Sequence, residues 1–289
     1  MKITEFRTYF IDQVAPFFDT EEAASFFYLI IEKWRNLKRD DLVMQPDLFF
    51  SEVEINQLEH VISELKRQKP IQYILGCTEF YGLQFEVNEH TLIPRPETEE
   101  LVEWIVKSQD LHDDKQESDS NLIKILDIGT GSGCIAISLA KNINHAQVSA
   151  IDVSVEALAT AKKNAEENRV EVTFLHQNIL ETETLSESFD IIVSNPPYVR
   201  ILEKQEIKPN VLEFEPHLAL FVSNEDPLLF YRKIAQLAQN NLKKNGYLFF
   251  EINQYLAKET VELLEELHFK SIELRKDIYG NCRMIRCQI

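Results

Sequence analysis

From Leu122 to the C-terminus, short apolar runs alternate with segments of helical length. That alternation constrains the fold more than any other feature of the chain. Residues 123–128 read as a strand, followed by a glycine turn and a helix over 134–142. A second strand over 147–152 precedes a helix over 155–168, and 171–176 and 189–194 are the third and fourth strands. A helix over 227–243, a strand over 247–252 and a helix over 257–267 lead to two closing strands, 271–275 and 283–288. Strands separated by helices of this length predict a doubly wound, mostly parallel α/β sheet. The closing pair, joined through Tyr279, Gly280 and Asn281, predicts an antiparallel hairpin.

The turn after the first strand is Asp127-Ile128-Gly129-Thr130-Gly131-Ser132-Gly133, and it holds three of the chain's 7 glycines. Glycine allows a sharp turn and close approach of a ligand to the backbone. No Lys-Ser/Thr follows, so this is not a P-loop, and the GxGxxG spacing of dinucleotide sites is not met. Asp152 ends the second strand, where it is placed for two ribose hydroxyls. This combination fits a nucleoside ligand without a pyrophosphate, namely S-adenosylmethionine. The plainer reading is a Rossmann-like turn beside a structural aspartate.

The fourth strand runs into Asn195-Pro196-Pro197-Tyr198. Open α/β sheets place ligands at the carboxyl ends of their strands. Two consecutive prolines fix the backbone and remove two N–H donors. Asn195 supplies a carbonyl acceptor and an NH₂ donor, and Tyr198 a flat face with a polar tip. Together they suit a small planar group bearing NH₂, either an amide or an exocyclic amine. The plainer reading is a proline turn after a strand.

Before residue 76 the apolar spacing is helical: Ile3, Phe6, Phe10 and Val14; Ala24, Phe27, Ile31 and Trp34; Val53, Leu58, Ile62 and Leu65. Thr20 with Glu21 and Glu22, and Ser51 with Glu52 and Glu54, read as helix starts. These aromatics are expected in a core, and partner recognition is the functional alternative for this region. Residues 79–82 and 83–87 predict two short strands around Gly82, a hairpin connector. Pro94 and Pro96 hold the next segment extended, and Glu97, Thr98 and Glu99 open a helix. The polar stretch 110–121 is expected to be a mobile surface loop.

With 44% apolar residues, a chain of 289 can build a sizeable core in one large or two ordinary domains. No apolar run reaches the roughly 18 residues of a membrane span, and the N-terminus lacks a signal-peptide core, so a soluble cytoplasmic protein is expected. Cys77, Cys134, Cys282 and Cys287 form no CxxC pair, so reduced thiols are expected, with neither a metal site nor a disulfide framework. The formal charge of −18 repels phosphate backbones and counts against a nucleic-acid substrate. It leaves a basic protein partner open, although solubility alone also accounts for it.

These motifs resemble the bacterial glutamine N5-methyltransferases that modify class 1 peptide chain release factors. The segments that carry the resemblance are 73–76 with 79–82, Leu92-Ile93-Pro94-Arg95-Pro96-Glu97-Thr98-Glu99, the glycine turn, Asp152, 194–198, Phe214-Glu215-Pro216 with Ala219-Leu220, and Tyr231-Arg232. They run from about residue 70 to the C-terminus; the N-terminal helices match in character and length. The resemblance implies a Rossmann-like S-adenosylmethionine-dependent methyltransferase sheet with a small N-terminal all-helical domain. It implies that Gly129, Thr130, Gly131, Ser132, Gly133 and Asp152 hold the methionine and ribose parts of S-adenosylmethionine, with Asn178 and Ile179 along the adenine. The family usually carries Asp where Asn178 stands, and often a glycine after the residue matching Glu251. The implied substrate is the glutamine of a Gly-Gly-Gln motif in class 1 release factors. The expected division is a helical substrate-recognition domain over 1–75, a connector over 76–93 and the methyltransferase domain over 94–289.

An amide nitrogen is a poor nucleophile, because its lone pair is delocalised into the carbonyl. Orientation is the expected device. The Asn195 side-chain carbonyl and the Pro196 backbone carbonyl each accept one amide hydrogen, Tyr198 packs on the amide plane, and Asn195 also borders the cofactor. Asn195, Pro196 and Tyr198 are thus the expected catalytic residues, and with Pro197 they form the expected substrate site. The expected state is a monomer with release factors as partner, no nucleic acid and no membrane. Two alternatives compete: a nucleic-acid amine methyltransferase acting on adenine or guanine, which shares the Asn-Pro-Pro-Tyr motif, and a non-catalytic protein that binds S-adenosylmethionine or release factors.

Overall fold

The computed structural model describes residues 1–110 and 122–289, and all but the first residue of the expected loop at 110–121 lies outside the described residues. The chain divides into two units, Met1–Gly76 with Lys208–Phe214, and Cys77–Ile207 with Glu215–Ile289.

The first unit contains α1 (Ile3–Val14), α2 (Thr20–Arg35), α3 (Arg39–Met44), α4 (Glu52–Lys66) and α5 (Ile71–Leu75). α1 buries Ile3, Phe6, Phe10 and Val14, the expected stripe. α2 is capped by Asp19, one residue before the expected start, whose Oδ1 accepts the Glu22 amide at 2.7 Å. Its core stripe is Ala23, Phe27 and Ile31 with Phe26 and Ile30. Trp34, expected in that stripe, lies in the last turn and is 37% exposed. Ser51 caps α4 and exchanges hydrogen bonds with Glu54, a capping box. Val53 falls in the first turn of α4, ahead of the core that begins at Leu58, and is 67% exposed.

The second unit opens with β1 (Cys77–Phe80) and β2 (Leu83–Glu86), an antiparallel pair. Their two-residue turn, Tyr81 and Gly82, has φ of 49° and 71°, the paired positive values of a type I′ hairpin. α6 (Pro96–Asp110) starts on a proline, whose missing N–H costs nothing in a first turn. Then come β3 (Ile123–Ile128), α7 (Cys134–Asn142), β4 (Ala146–Asp152), α8 (Val155–Asn168), β5 (Val172–His176) and β6 (Phe189–Ser194). After a short strand β7 (Val199–Arg200) and a 3₁₀ turn, the chain contributes α9 (Pro209–Phe214) to the first unit, then continues in the second with α10 (His217–Leu220) and β8 (Phe221–Val222). It ends with α11 (Leu229–Asn241), β9 (Leu242–Glu251), α12 (Ala257–Glu266), β10 (Lys270–Lys276) and β11 (Cys282–Gln288).

Seven strands form one sheet in the order β10-β11-β9-β6-β3-β4-β5. β9, β6, β3, β4 and β5 run parallel, and β11 is antiparallel to both β9 and β10, as the closing hairpin predicts. Alternate residues serve opposite faces. Leu126, Ile192, Leu248 and Phe250 pack with α11 and α12. Ile125, Ile191, Val193 and Phe249 pack with α6 and α7. β9 begins at Leu242, five residues before the apolar run that marks it in sequence. Lys243, Lys244 and Asn245 disguise that entry, and the register with β6 shifts between Phe189 and Ile191. β3 leads outward to β4 and β5, and the chain then returns to β6 on the other side of β3. That reversal is a topological switch point, where open α/β sheets form a ligand crevice.

Candidate active site

The glycine turn follows β3, Asp152 ends β4 and Asn195 follows β6, so three strand ends converge at the switch point. Ser194, fully buried, donates its hydroxyl to the Ile128 carbonyl at 2.6 Å and ties the ends of β6 and β3 together. The Gly129 and Thr130 amides both donate to the Ile151 carbonyl, at 2.8 and 3.0 Å, which folds the turn over the end of β4. Gly129, Gly131 and Gly133 all have positive φ, 78°, 56° and 84°, a backbone that side-chain-bearing residues rarely adopt.

A cavity of about 290 Å³ opens between these ends. Gly129, Gly131, Asp152, Asn178, Ile179, Asn195, Pro196 and Pro197 line it, so the structure gathers these expected site residues. Thr130, Ser132, Gly133 and Tyr198 do not border it. Thr130 is buried and donates to Asp127 Oδ2 at 2.6 Å. A Cβ at Gly133 would stand 2.8 Å from Ile137 Cδ1 and 3.1 Å from Ala161 Cβ, so that glycine lets α7 and α8 pack closely. Leu92, which opens the Leu-Ile-Pro-Arg-Pro segment, adds apolar wall together with Leu218, Phe230 and Ile234, which motif reading does not single out.

Asp152 Oδ2 accepts the Gly131 amide at 2.8 Å and Oδ1 the Ser154 amide at 2.9 Å. A carboxylate has about four acceptor positions, so the two amides fix its orientation and leave lone pairs for ligand hydroxyls. Asn178 lines the cavity, and its Oδ1 accepts the Leu180 amide at 3.1 Å. A lining that combines Asp152, Asn178 and Asn195 with apolar side chains such as Ile179, Leu218 and Phe230 suits S-adenosylmethionine, with its ribose hydroxyls, flat base and apolar-flanked sulfonium. Asp127, at the end of β3, is completely buried, and burial pushes its carboxyl up to about 7 against the Thr130 hydrogen bond that holds it down.

Behind the Asn-Pro-Pro-Tyr turn lies a buried polar cluster centred on Glu251, the last residue of β9. Thr98 Oγ1 donates to its Oε2 at 2.6 Å and Tyr198 Oη to its Oε1 at 3.0 Å. Asn195 Nδ2 reaches Thr98 Oγ1 at 3.4 Å. Tyr231 Oη donates to the Glu251 backbone carbonyl at 3.3 Å, and Asn253 Nδ2 to the Tyr198 carbonyl at 2.9 Å. Burial raises the Glu251 and Tyr198 acidities' pKa values above their ordinary ranges. Thr98 and Glu251 carry no signal as a pair in sequence, being 153 positions apart. A second tie crosses nearby: Glu215, 1% exposed at its side chain, accepts from Arg95 Nη2 at 2.5 Å and from the Ile93 amide at 3.1 Å.

Residues 113–213 match the family model for the methyltransferase small domain, and 18–76 match that for the PrmC N-terminal domain. The chain is 62% identical to a release factor glutamine methyltransferase of Flavobacterium psychrophilum over 99% of both chains. A release factor glutamine methyltransferase of Bacteroides thetaiotaomicron is 43% identical over 96% of each chain. Among solved structures, the hMettl16 catalytic domain superposes with a TM-score of 0.56 at 20% identity, covering 75% of this chain and 80% of that one, a likeness of fold. With nearly full-length identity of this order to proteins of one name, the chain belongs to the release factor glutamine methyltransferase family.

Proposed function

We propose that the protein transfers a methyl group from S-adenosylmethionine to the side-chain amide nitrogen, N5, of a glutamine in class 1 peptide chain release factors, within their Gly-Gly-Gln motif. The observation that carries this is the orientation of Asn195. Its NH₂ is engaged by Thr98 at 3.4 Å, so its carbonyl oxygen is the end offered to the cavity that Asp152 and the glycine turn also line.

When bound, S-adenosylmethionine supplies an electrophilic methyl on a positively charged sulfonium. Asp152 accepts two ribose hydroxyls with the lone pairs its backbone amides leave unused. Gly129 and Gly131 bring bare backbone to the ligand, and Asn178 and Ile179 flank the base. Asn195 Oδ1 and the Pro196 carbonyl each accept one hydrogen of the substrate amide. Two acceptors fix the nitrogen's direction and raise its electron density, a positioning and electrostatic effect. Pro196 and Pro197 keep that turn rigid. Tyr198 holds the far end of that turn from behind the cavity, with its ring against the core and its hydroxyl donated to Glu251 at 3.0 Å. The amide proton leaves to water after transfer.

The N-terminal helical region, 1–75, recognises the release factor and takes no part in the chemistry, with 76–93 as connector and 94–289 as the methyltransferase domain. The protein works as a cytoplasmic monomer and does not act on nucleic acid. No helix among the described residues is long and apolar enough to cross a membrane. The test is incubation with labelled S-adenosylmethionine and either purified release factor or nucleic acid, followed by mass spectrometry of the labelled product. Label on a release-factor glutamine is expected. Label on adenine or guanine, with none on release factor, overturns the reading.

A further inference from the structure

Glu251 is 1% exposed, and both of its carboxylate oxygens receive a hydroxyl, Thr98 at 2.6 Å and Tyr198 at 3.0 Å. An ionised carboxylate accepts and cannot donate. Thr98 has a single hydroxyl hydrogen, and Glu251 takes it. Thr98 Oγ1 therefore presents lone pairs to Asn195, and the Asn195 amide must turn its NH₂ toward Thr98, where Nδ2 is found at 3.4 Å. Its carbonyl is then left for the cavity. Were a donor to stand at the Glu251 position, the chain of hydrogen bonds could run the other way. Thr98 would donate to Asn195 Oδ1, and the Asn195 NH₂ would face the NH₂ of an incoming amide, donor against donor.

We propose that Glu251 is a positioning residue that, through Thr98, sets which end of the Asn195 side chain faces the substrate, and through Tyr198 anchors the other end of the same turn. This rests on the reading of Asn195 as the acceptor for the substrate amide. Burial raises the carboxyl's pKa and the negative Glu97 adds to that rise, while the hydrogen bonds from Thr98 and Tyr198 and the positive Arg283 oppose it. It is the two hydroxyls, one on each oxygen, that fix the carboxylate as acceptor. Arg283 is itself held by Asp277 at 3.2 Å and donates to the Ile252 carbonyl, so it lends potential without displacing either hydroxyl.

The experiment compares Glu251→Gln, Thr98→Val, Thr98→Ser, the double variant Glu251→Gln/Thr98→Val and Asn195→Ala. It measures kcat and KM with release factor, S-adenosylmethionine affinity by calorimetry and the melting temperature. Glu251→Gln and Thr98→Val are expected to lower kcat by about tenfold or more, the loss of one oriented hydrogen bond, with cofactor affinity within about threefold. Thr98→Ser keeps the hydroxyl and should retain most of the turnover. Because the two residues act in one chain, the double variant should be little worse than either single variant. If Glu251→Gln does not fold, the Thr98→Val and Thr98→Ser pair decides. Equal losses in those two, or losses of kcat that track losses of cofactor affinity, overturn the inference in favour of a packing role. Full kcat in Thr98→Val and Glu251→Gln while Asn195→Ala is impaired overturns this inference alone. Full kcat in Asn195→Ala overturns the underlying reading of the site as well.

Discussion

Arg95 and Glu215 are 120 positions apart in the chain and meet at 2.5 Å, with the Glu215 side chain almost wholly buried. The same carboxylate accepts the Ile93 amide. It thus fastens the Ile-Pro-Arg-Pro segment to the loop whose next residues, Pro216, Leu218 and Ala219, wall the cavity. Removing one member of such a pair strands the other as a buried charge. Arg95→Ala is expected to destabilise the fold by about 3 kcal/mol, the low end for a buried pair because Arg95 is partly exposed. Glu215→Gln should cost less, since it leaves a neutral group beside an arginine that can reach water. Urea unfolding of both variants checks this; a smaller loss in Arg95→Ala than in Glu215→Gln would reverse the assignment.

Asp152 is expected to act on the cofactor and not on the chemistry. Its two backbone hydrogen bonds orient the carboxylate, so Asp152→Ala removes a charged acceptor from a prepared site. The loss in S-adenosylmethionine affinity should be about 1.5–3 kcal/mol, with the fold intact. Calorimetry and circular dichroism measure the two effects separately. Unchanged affinity would remove Asp152 from the cofactor site.

Asp127 provides a pH test. Its carboxyl titrates near 7 in the fold, against 3.8 ordinarily, with burial the main cause and Asp152 adding to it. The folded state thus holds the proton more tightly than the unfolded chain. This contribution to stability is complete below the ordinary value and is lost as pH rises through about 7. The full swing is on the order of 4 kcal/mol. Asp127→Asn keeps an acceptor for Thr130 and cannot ionise. Its melting temperature, relative to wild type and without cofactor, should therefore rise from about pH 5 to about pH 8. A difference that stays flat, or falls, contradicts the buried neutral carboxyl.

What was legible in the sequence follows from what is local. The strands and helices after Leu122 announce themselves through periodicity, and the glycine turn, Asp152 and Asn195 all lie at strand ends, where the alternating pattern puts them. Entry into β9 was hidden because Lys243, Lys244 and Asn245 are polar, and pairing with β6 decides their conformation more than their own preference does. The two-residue strands β7 and β8 are too short to show any period. Trp34 and Val53 fit the helical spacing yet lie at helix ends, where the apolar stripe no longer faces the core. Thr98 and Glu251 were illegible for a different reason: their meaning lies in one hydrogen bond between distant segments, and nothing in either neighbourhood points to the other.

The sharpest test falls on Asn195. If its carbonyl orients the substrate amide, Asn195→Ala should reduce kcat far more than it weakens cofactor binding, because the lost hydrogen bond matters most when the nitrogen must point at the methyl. Asn195→Asp separates the two ends of the side chain. It keeps an acceptor of the same shape, but it replaces the NH₂ that reaches Thr98 with a second acceptor and adds a negative charge. Thr98 already gives its hydrogen to Glu251 at 2.6 Å, so the new carboxylate would face lone pairs with no donor. The aspartate variant should therefore turn over faster than Asn195→Ala and well below wild type. Both are measured at saturating cofactor and release factor. Wild-type kcat in Asn195→Ala would return Asn195 to the role of a turn residue, and wild-type kcat in Asn195→Asp would show that the tie to Thr98 is dispensable.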